Sequence, residues 1–279
     1  MTSRLSDVQR RWVDGRLPDA VIVADLSWDL VDSIVLRVRG CNGDVIVKAG
    51  GPRNHHILRE LSAHPRHTAP LTDTGHAARL LDGDPDLRVM LLEYLPGVLV
   101  EKSVAEPDPR IYERAGALLR RLHDQESRLD AGHEEKANRR ALDWLQQPHR
   151  IAPETVQQVR QILENAPRRT VRTVPTHGHW QPRNWLIDGD TVRVIDFGRF
   201  AFRTRSSDLA RLAAQQWRDD PSLEEAFLDG YGGDPREPEQ WRLERLREAV
   251  GTACYAVQVG ESGFEEQGHR MLADALAAF

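Results

Sequence analysis

The chain has 279 residues, 40% hydrophobic and 29% charged, with a formal net charge of -5. That balance describes a soluble globular protein and excludes a disordered chain. The acidic total argues against nucleic acid as a partner and leaves a cationic small molecule open. No apolar run approaches the roughly 20 residues of a membrane span, and "MTSRLSDVQRRWVDG" lacks an apolar targeting core, so no membrane partner and a cytoplasmic location are expected.

In chain order, "DLSWDLVDSIVLRVRG" and "CNGDVIVKAGG" alternate apolar and polar residues around Asn42-Gly43. Such a pair supplies the positive φ angles of a tight turn, which predicts two antiparallel strands. Apolar spacing predicts a helix over 55–64, and 77–97 reads as a second hairpin ending at Pro96-Gly97. Residues 1–95 therefore form a β-rich unit with one main helix. Residues 96–279 are mostly helical, with helices expected at 106–125 (Asp108 as cap), 138–147, 153–165, 207–218, 222–231, 238–259 and 265–278. Two short strands, 185–187 and 192–195, interrupt them around Asp188-Gly189-Asp190. Cys41 and Cys254 stand far apart and are expected as free thiols.

The chemistry concentrates in "THGHWQPRNWLIDGDTVRVIDFGRF", residues 176–200. Asn184 offers a neutral oxygen and Asp196, at the end of the apolar strand "VRVID", a charged one, a donor set suited to Mg²⁺. Phosphoryl transfer from a nucleotide also requires a cation at the phosphates and a positioned acceptor hydroxyl. Lysine is scarce: Lys48, Lys102 and Lys136 are the only three among 38 basic residues, so a lysine inside the strand "VIVKAGG" stands out.

The segments "HGHWQPRNWL" and "VIDFG", in this order and separation, resemble the aminoglycoside phosphotransferase and choline-kinase-like family, distant relatives of protein kinases. The resemblance implies an α+β, protein-kinase-like fold with a small β-rich lobe, a larger helical lobe and a nucleotide cleft between them. It implies transfer of a γ-phosphate from ATP or GTP, with Mg²⁺, to a small-molecule hydroxyl. The expected acceptor is an antibiotic (aminoglycoside, cyclic peptide or macrolide) or an amino-alcohol metabolite. It also places Lys48 at the phosphates, Glu60 of "LREL" as its partner, and Asn184 and Asp196 at the metal. Adenine is expected at Glu93, Tyr94 and Leu95 of "LLEYLPG", and Asp208 of "SSDLARLA" is expected to brace the loop.

Two positions depart from the family's pattern. The turn in "LSWDLVDSIVL" has no glycine to admit phosphates to the backbone. More consequentially, the family's loop reads H-G-D, and His179 stands where its catalytic Asp belongs. A neutral imidazole with a pKa near 6.5 is a competent general base, so His179 is expected as proton acceptor, with a rate that rises through its titration. The alternative is a nucleotide-binding pseudokinase, a sensor or scaffold made inactive by that replacement. "HGH" also admits a zinc reading, although no third ligand has suitable spacing. Trp180 is a possible wall of the acceptor pocket, and Glu261, Glu265 and Glu266 are either acceptor-binding acids or a solvated face.

Overall fold

The computed structural model describes residues 4–28 and 32–279. It begins with a helix not anticipated from sequence, α1 (Asp7–Asp14). Ser6 Oγ accepts from the Gln9 N–H, and the Ser6 N–H donates to Gln9 Oε1. This capping box satisfies two backbone donors that the helix itself leaves unpaired. Gln9 Nε2 also donates to the carbonyls of Gly50 and Leu87, which fastens α1 to the sheet behind it.

That sheet contains β1 (Val21–Asp25), β2 (Ser33–Gly40) and β3 (Gly43–Gly50), followed by α2 (His55–His67) and α3 (Ala69–Thr72), then β4 (Leu80–Asp84) and β5 (Val89–Glu93). The five strands are antiparallel in the order β1-β2-β3-β5-β4. In the β2–β3 hairpin Gly40 lies opposite Gly43, so Cys41 and Asn42 form the turn, one residue earlier than the Asn42-Gly43 pair implies. Only Gly43 takes a positive φ there, 110°. The glycine-free turn between β1 and β2 includes 29–31, which lie outside the described residues. Helix α2 runs past its expected end because Pro65 removes one helical hydrogen bond without stopping the chain.

The remainder holds β6 (Val98–Leu99), α4 (Pro109–His123), β7 (Arg128–Asp130), α5 (His133–Trp144), α6 (Pro153–Asn165), β8 (Val171–Thr176), β9 (Trp185–Asp188), β10 (Thr191–Val194), β11 (Ala201–Arg203), α7 (Ala210–Ala214), α8 (Gln216–Asp219), α9 (Pro221–Tyr231), α10 (Pro238–Val259) and α11 (Ser262–Leu276). The expected helix over 207–218 is instead a 3₁₀ turn at Arg205–Asp208 followed by two short helices, broken where Gln215 adopts φ -123° and ψ -100°. The three-stranded sheet β11-β8-β7 was not expected either. Pro175 inside β8 weakens the strand signal of "VRTVPT", yet it pairs opposite Phe202.

The β9–β10 hairpin is the piece that positions the site. The Val194 N–H donates to the His76 carbonyl (2.7 Å), His76 Nδ1 donates to the Val192 carbonyl (2.7 Å), and β6 pairs with β9. These contacts dock the hairpin on β6 and on the segment leading from α3 to β4. Beneath it lies the largest core cluster, which includes Tyr112, Leu119, Trp180, Trp185, Trp217 and Phe227. Trp180 is therefore a core anchor, only 1% exposed, and not a wall of an acceptor pocket.

Helices α4 and α9 approach closely enough that a Cβ on Gly116 would overlap the Phe227 carbonyl oxygen and lie 2.9 Å from the Tyr231 nitrogen. Backbone cannot yield as a side chain does, and overpacking of this kind costs about 1–3 kcal/mol. Gly116→Val should lower the midpoint of thermal unfolding by roughly 3–10 °C, taking ~2–4 °C per kcal/mol for a chain of this size. An unchanged midpoint in differential scanning calorimetry would contradict the packing described.

Candidate active site

Strand β3 delivers Lys48 to its buried end, helix α2 delivers Glu60, and the residue after "VRVI" is Asp196. The three side chains converge. Lys48 Nζ lies 2.5 Å from Glu60 Oε2 and 3.0 Å from Asp196 Oδ1. Burial alone would depress the Lys48 ammonium, but Asp196 and Glu60 outweigh it and hold the group above its ordinary value. Burial likewise works against ionised Asp196, and Lys48 overcomes it, keeping the carboxyl well below the usual range. Asp196 still has 45% of its side-chain surface open and adopts a left-handed backbone, φ 69°. That conformation is costly for any residue with a Cβ, although Asp tolerates it better than most.

Helix α2 is aimed from its N-terminal end. Asn54 Oδ1 accepts from the N–H groups of His56 and Ile57, and Asn54 Nδ2 donates to Ser33 Oγ on β2. His56 Nδ1 donates to the Gly198 carbonyl at 2.9 Å, which ties the helix to the residues just past Asp196. In sequence His56 is one of an adjacent pair whose default is packing or solvent exposure. Nothing in "HH" distinguishes the histidine that reaches Gly198 from its exposed neighbour His55.

The loop 177–184 is held by Asp208. Its carboxylate accepts from the His177 N–H (2.9 Å), the Gly178 N–H (2.5 Å) and His123 Nε2 (3.2 Å). Arg205 donates to Tyr231 Oη, and the Tyr231 hydroxyl donates to His123 Nδ1, so the network is satisfied along its length. His123, fully buried at the end of α4, gave no signal in the sequence beyond being a histidine on an apolar face. His177 Nε2 donates to the Ile195 carbonyl, and the Ile195 N–H donates to the Asn184 carbonyl. These bonds set Asn184 beside the strand end that carries Asp196. The ring of Phe197 packs 4.9 Å from that of His177 and fixes the same corner from below.

Asn184 Nδ2 donates to the His179 carbonyl (2.8 Å), and no group among the described residues donates to its Oδ1. His179 is held differently from the expectation. Gln181 Nε2 donates to His179 Nε2 at 2.7 Å, so that nitrogen is an acceptor and the ring proton sits on Nδ1. Burial first, then the charges of Arg211, Arg199 and Arg183, drive its pKa well below the ordinary 6.5. The ring is neutral throughout the physiological range, so a rate that climbs through a titration near 6.5 is not what this environment produces. The two imidazoles of "HGH" bond separately, and among the described residues no group of three His, Cys, Asp or Glu side chains forms a metal cluster.

At the segment joining β5 to β6, the Glu93 N–H is already taken by the Arg79 carbonyl and the Glu93 side chain is exposed. No described backbone group pairs with the N–H or carbonyl of Tyr94 or Leu95. The Leu95 side chain is buried against Ile57, Ala78, Met90 and Leu92, and Arg37 stacks on Tyr94 at 4.0 Å. A cavity of about 220 Å³ beside this segment is lined by Thr72, Arg79, Tyr94 and Arg193 among others, and includes none of Lys48, Asn184 or Asp196.

A family model described as the phosphotransferase enzyme family matches residues 35–243, about three quarters of the chain. The chain belongs to that family. A search of curated proteins finds no significant match. Among solved structures, the choline kinase LicA from Streptococcus pneumoniae superposes with a TM-score of 0.72 at 14% identity, covering 98% of this chain and 100% of that one. A thermostable variant of aminoglycoside phosphotransferase APH(4)-Ia, in ternary complex with ADP and hygromycin B, gives 0.69 at 13% identity, covering 98% and 99%. The macrolide 2'-phosphotransferase MphH from Brachybacterium faecium gives 0.55 at 16% identity, covering 93% and 92%. At these identities the neighbours establish the shared kinase-like fold, and the expected α+β architecture is the one found. Among the described residues no helix is long and apolar enough to cross a membrane.

Within this phosphotransferase-family fold, Asp208 is the residue on which the loop's shape turns. Replacing it with Ala leaves two buried backbone N–H groups and the His123 N–H without an acceptor, each costing about 1–3 kcal/mol. Asp208→Ala should lower the unfolding midpoint by roughly 10 °C, using ~2–4 °C per kcal/mol, and Asp208→Asn should lower it less. Equal midpoints for all three proteins would contradict the bracing role.

Proposed function

We propose that this family member is a small-molecule kinase, transferring the γ-phosphate of ATP or GTP to a hydroxyl group. The observation that carries the reading is the convergence of Lys48, Glu60 and Asp196 from three separate elements onto one point. A lysine held charged by two carboxylates, one of them open to the cleft, supports a phosphate-gripping role. Glu60 positions it, while the unpaired backbone of Tyr94 and Leu95 gives an adenine edge its hydrogen-bonding partners. We take residues 1–95 as the nucleotide lobe and 96–279 as the lobe bearing the loop and acceptor site.

The donor set fits Mg²⁺. Asn184 has its amide nitrogen tied and its oxygen without a donor, and Asp196 has an open carboxylate aimed by a strained backbone; one neutral and one charged oxygen suit a hard cation. When bound, the ion would supply charge neutralisation at the phosphates. The protein's own part is positional: Asp208 fixes the loop, the Ile195 N–H holds the Asn184 carbonyl next to the strand end that carries Asp196, and His179 presents Nε2. In this reading the acceptor hydroxyl displaces Gln181 as the donor to His179 Nε2, and the neutral ring receives its proton. Neighbours named for choline, aminoglycoside and macrolide chemistry make antibiotics and amino alcohols the starting set for screening.

A second reading, a nucleotide-binding pseudokinase, draws on the bond that occupies His179 Nε2 and on the absence of a carboxylate at that position. Labelled ATP offered with an acceptor library to the wild type and to His179→Asp separates the two. Turnover by the wild type, reduced more than tenfold in His179→Ala, supports the kinase; general-base help is typically worth ~10²–10⁴-fold. Nucleotide binding with no transfer by either protein would favour the scaffold. Lys48→Met should reduce kcat/KM by roughly 10² or more, since phosphoryl transfer relies on electrostatic stabilisation.

The pH dependence has a definite sign. A base acts when deprotonated, and the His179 pKa is displaced downward, so its active form persists to lower pH than a free imidazole allows. The kcat profile should be level between about pH 6.5 and 8 and decline only on the acid side. A profile with an inflection at 6.5 or above that vanishes in His179→Ala would contradict this environment.

A further inference from the structure

We propose that the acceptor carries an oxyanion, a carboxylate or phosphate ester, which seats on Arg199 beside His179; this rests on the kinase reading above. Arg199 lies three residues beyond Asp196, and its backbone is pressed against the loop. A Cβ on Gly178 would overlap both the Arg199 carbonyl oxygen and the Arg203 guanidinium, so the residue preceding His179 must be glycine for this segment to approach. The guanidinium of Arg199 is half-buried, yet among the described residues it makes neither an ion pair nor a hydrogen bond.

The acids within its influence are already committed. They are Glu248 and Asp196. Glu248 is ion-paired with Arg211 at 2.8 Å, and Asp196 with Lys48 at 3.0 Å. The arginines nearby do not relieve it. Arg203 donates to Thr176 Oγ1 (3.1 Å) and to the Arg199 carbonyl (2.9 Å), both neutral, and the acid closest to it in effect, Asp208, is consumed in bracing the loop. Arg183 stacks on Trp28 at 4.5 Å with no carboxylate partner among the described residues. The leading charges that bear on the His179 ring are accordingly all positive.

A cation drawn partly out of water without a counter-ion is costly, and such groups in native proteins call for a reason. The planar fork of arginine is matched to carboxylate and phosphate oxygens, which it binds bidentately. The chain as a whole is acidic, net -5, so this positive wall is local. The acids considered from sequence as partners for a cationic acceptor do not offset it. Glu265 is paired with Arg150 at 2.8 Å, while Glu261 and Glu266 are exposed on and just before α11. The wall selects against a cationic acceptor and for an anionic one.

Inorganic sulfate is the probe, titrated calorimetrically into the full chain saturated with Mg²⁺ and a non-hydrolysable ATP analogue, so that the nucleotide's own phosphate positions are filled. Sulfate should bind, Arg199→Gln should weaken it at least tenfold, and Arg199→Lys, which preserves the charge, should weaken it less than threefold. Tetramethylammonium should give no binding heat. Absence of sulfate binding, equal affinity in wild type and Arg199→Gln, or efficient phosphorylation of choline or kanamycin would overturn the proposal. If the ATP analogue fails to bind, the kinase reading falls on that result alone. Sulfate titrated into the nucleotide-free Lys48→Met chain, with and without Arg199→Gln, then decides the arginine site independently.

Discussion

The structure depends on a lysine ammonium kept charged inside the protein. Lys48 is only 8% exposed, and a cation so placed survives through its contacts with Glu60 and Asp196. Removing either acid would leave a buried charge short of a partner, a costlier change than never having built the group. The constraint reaches outward. The sheet must bring β3 to the correct depth, α2 must begin at Asn54 so that Glu60 faces inward, and the β9–β10 hairpin must end where Asp196 meets the ammonium. The triad carries one positive and two negative charges. Its residual negative charge lies on the side open to the cleft, where a divalent cation would be favoured.

The loop that follows β8 is fixed by a different principle, a shared acceptor for buried donors. Asp208 gathers two backbone N–H groups and an imidazole, and the imidazole is held in turn through Tyr231 by Arg205. Each donor in this Asp208 network has a defined acceptor, which makes displacement of the loop costly. His177 then couples this loop to the strand bearing Asp196 through the Ile195 carbonyl. On the proposed kinase reading, positioning the nucleotide's phosphates and positioning the acceptor become one mechanical problem, solved by a short run of backbone.

Much of this was legible in the sequence because it is local. The hairpins, α6, α10 and the cap at Asp108 follow from periodicity and turn chemistry within a few residues. Of the candidate site residues, Asn184 and Asp196 stood out by motif order and Lys48 and Glu60 through the family resemblance, and Lys48, Glu60 and Asp196 meet directly at the triad. What escaped were long-range features. The sheet β11-β8-β7 needs three segments that lie far apart in the chain, and Pro175 masks its central strand. His56 and His123 acquire their partners, Gly198 and Asp208, only through the fold. The Arg199 environment is further still from sequence, since it depends on which acids other groups have already claimed.

That last point also bears on why a histidine occupies position 179. In a field dominated by Arg199, Arg211 and Arg183, a carboxylate there would find counter-ions at once and be held in an internal ion pair. A pair of that kind would occupy the charge that the proposed anionic acceptor uses. An imidazole in the same field loses its proton and becomes a neutral acceptor, as the Gln181 bond to Nε2 shows. It leaves the Arg199 guanidinium without a counter-ion among the described residues while still presenting a lone pair in the same field. The site thus divides into a region of excess negative charge around Asp196 and one of excess positive charge around Arg199, with a neutral imidazole in the second. The two partners proposed above, a metal-bound polyphosphate and an oxyanion-bearing hydroxyl compound, carry the charges that match those regions.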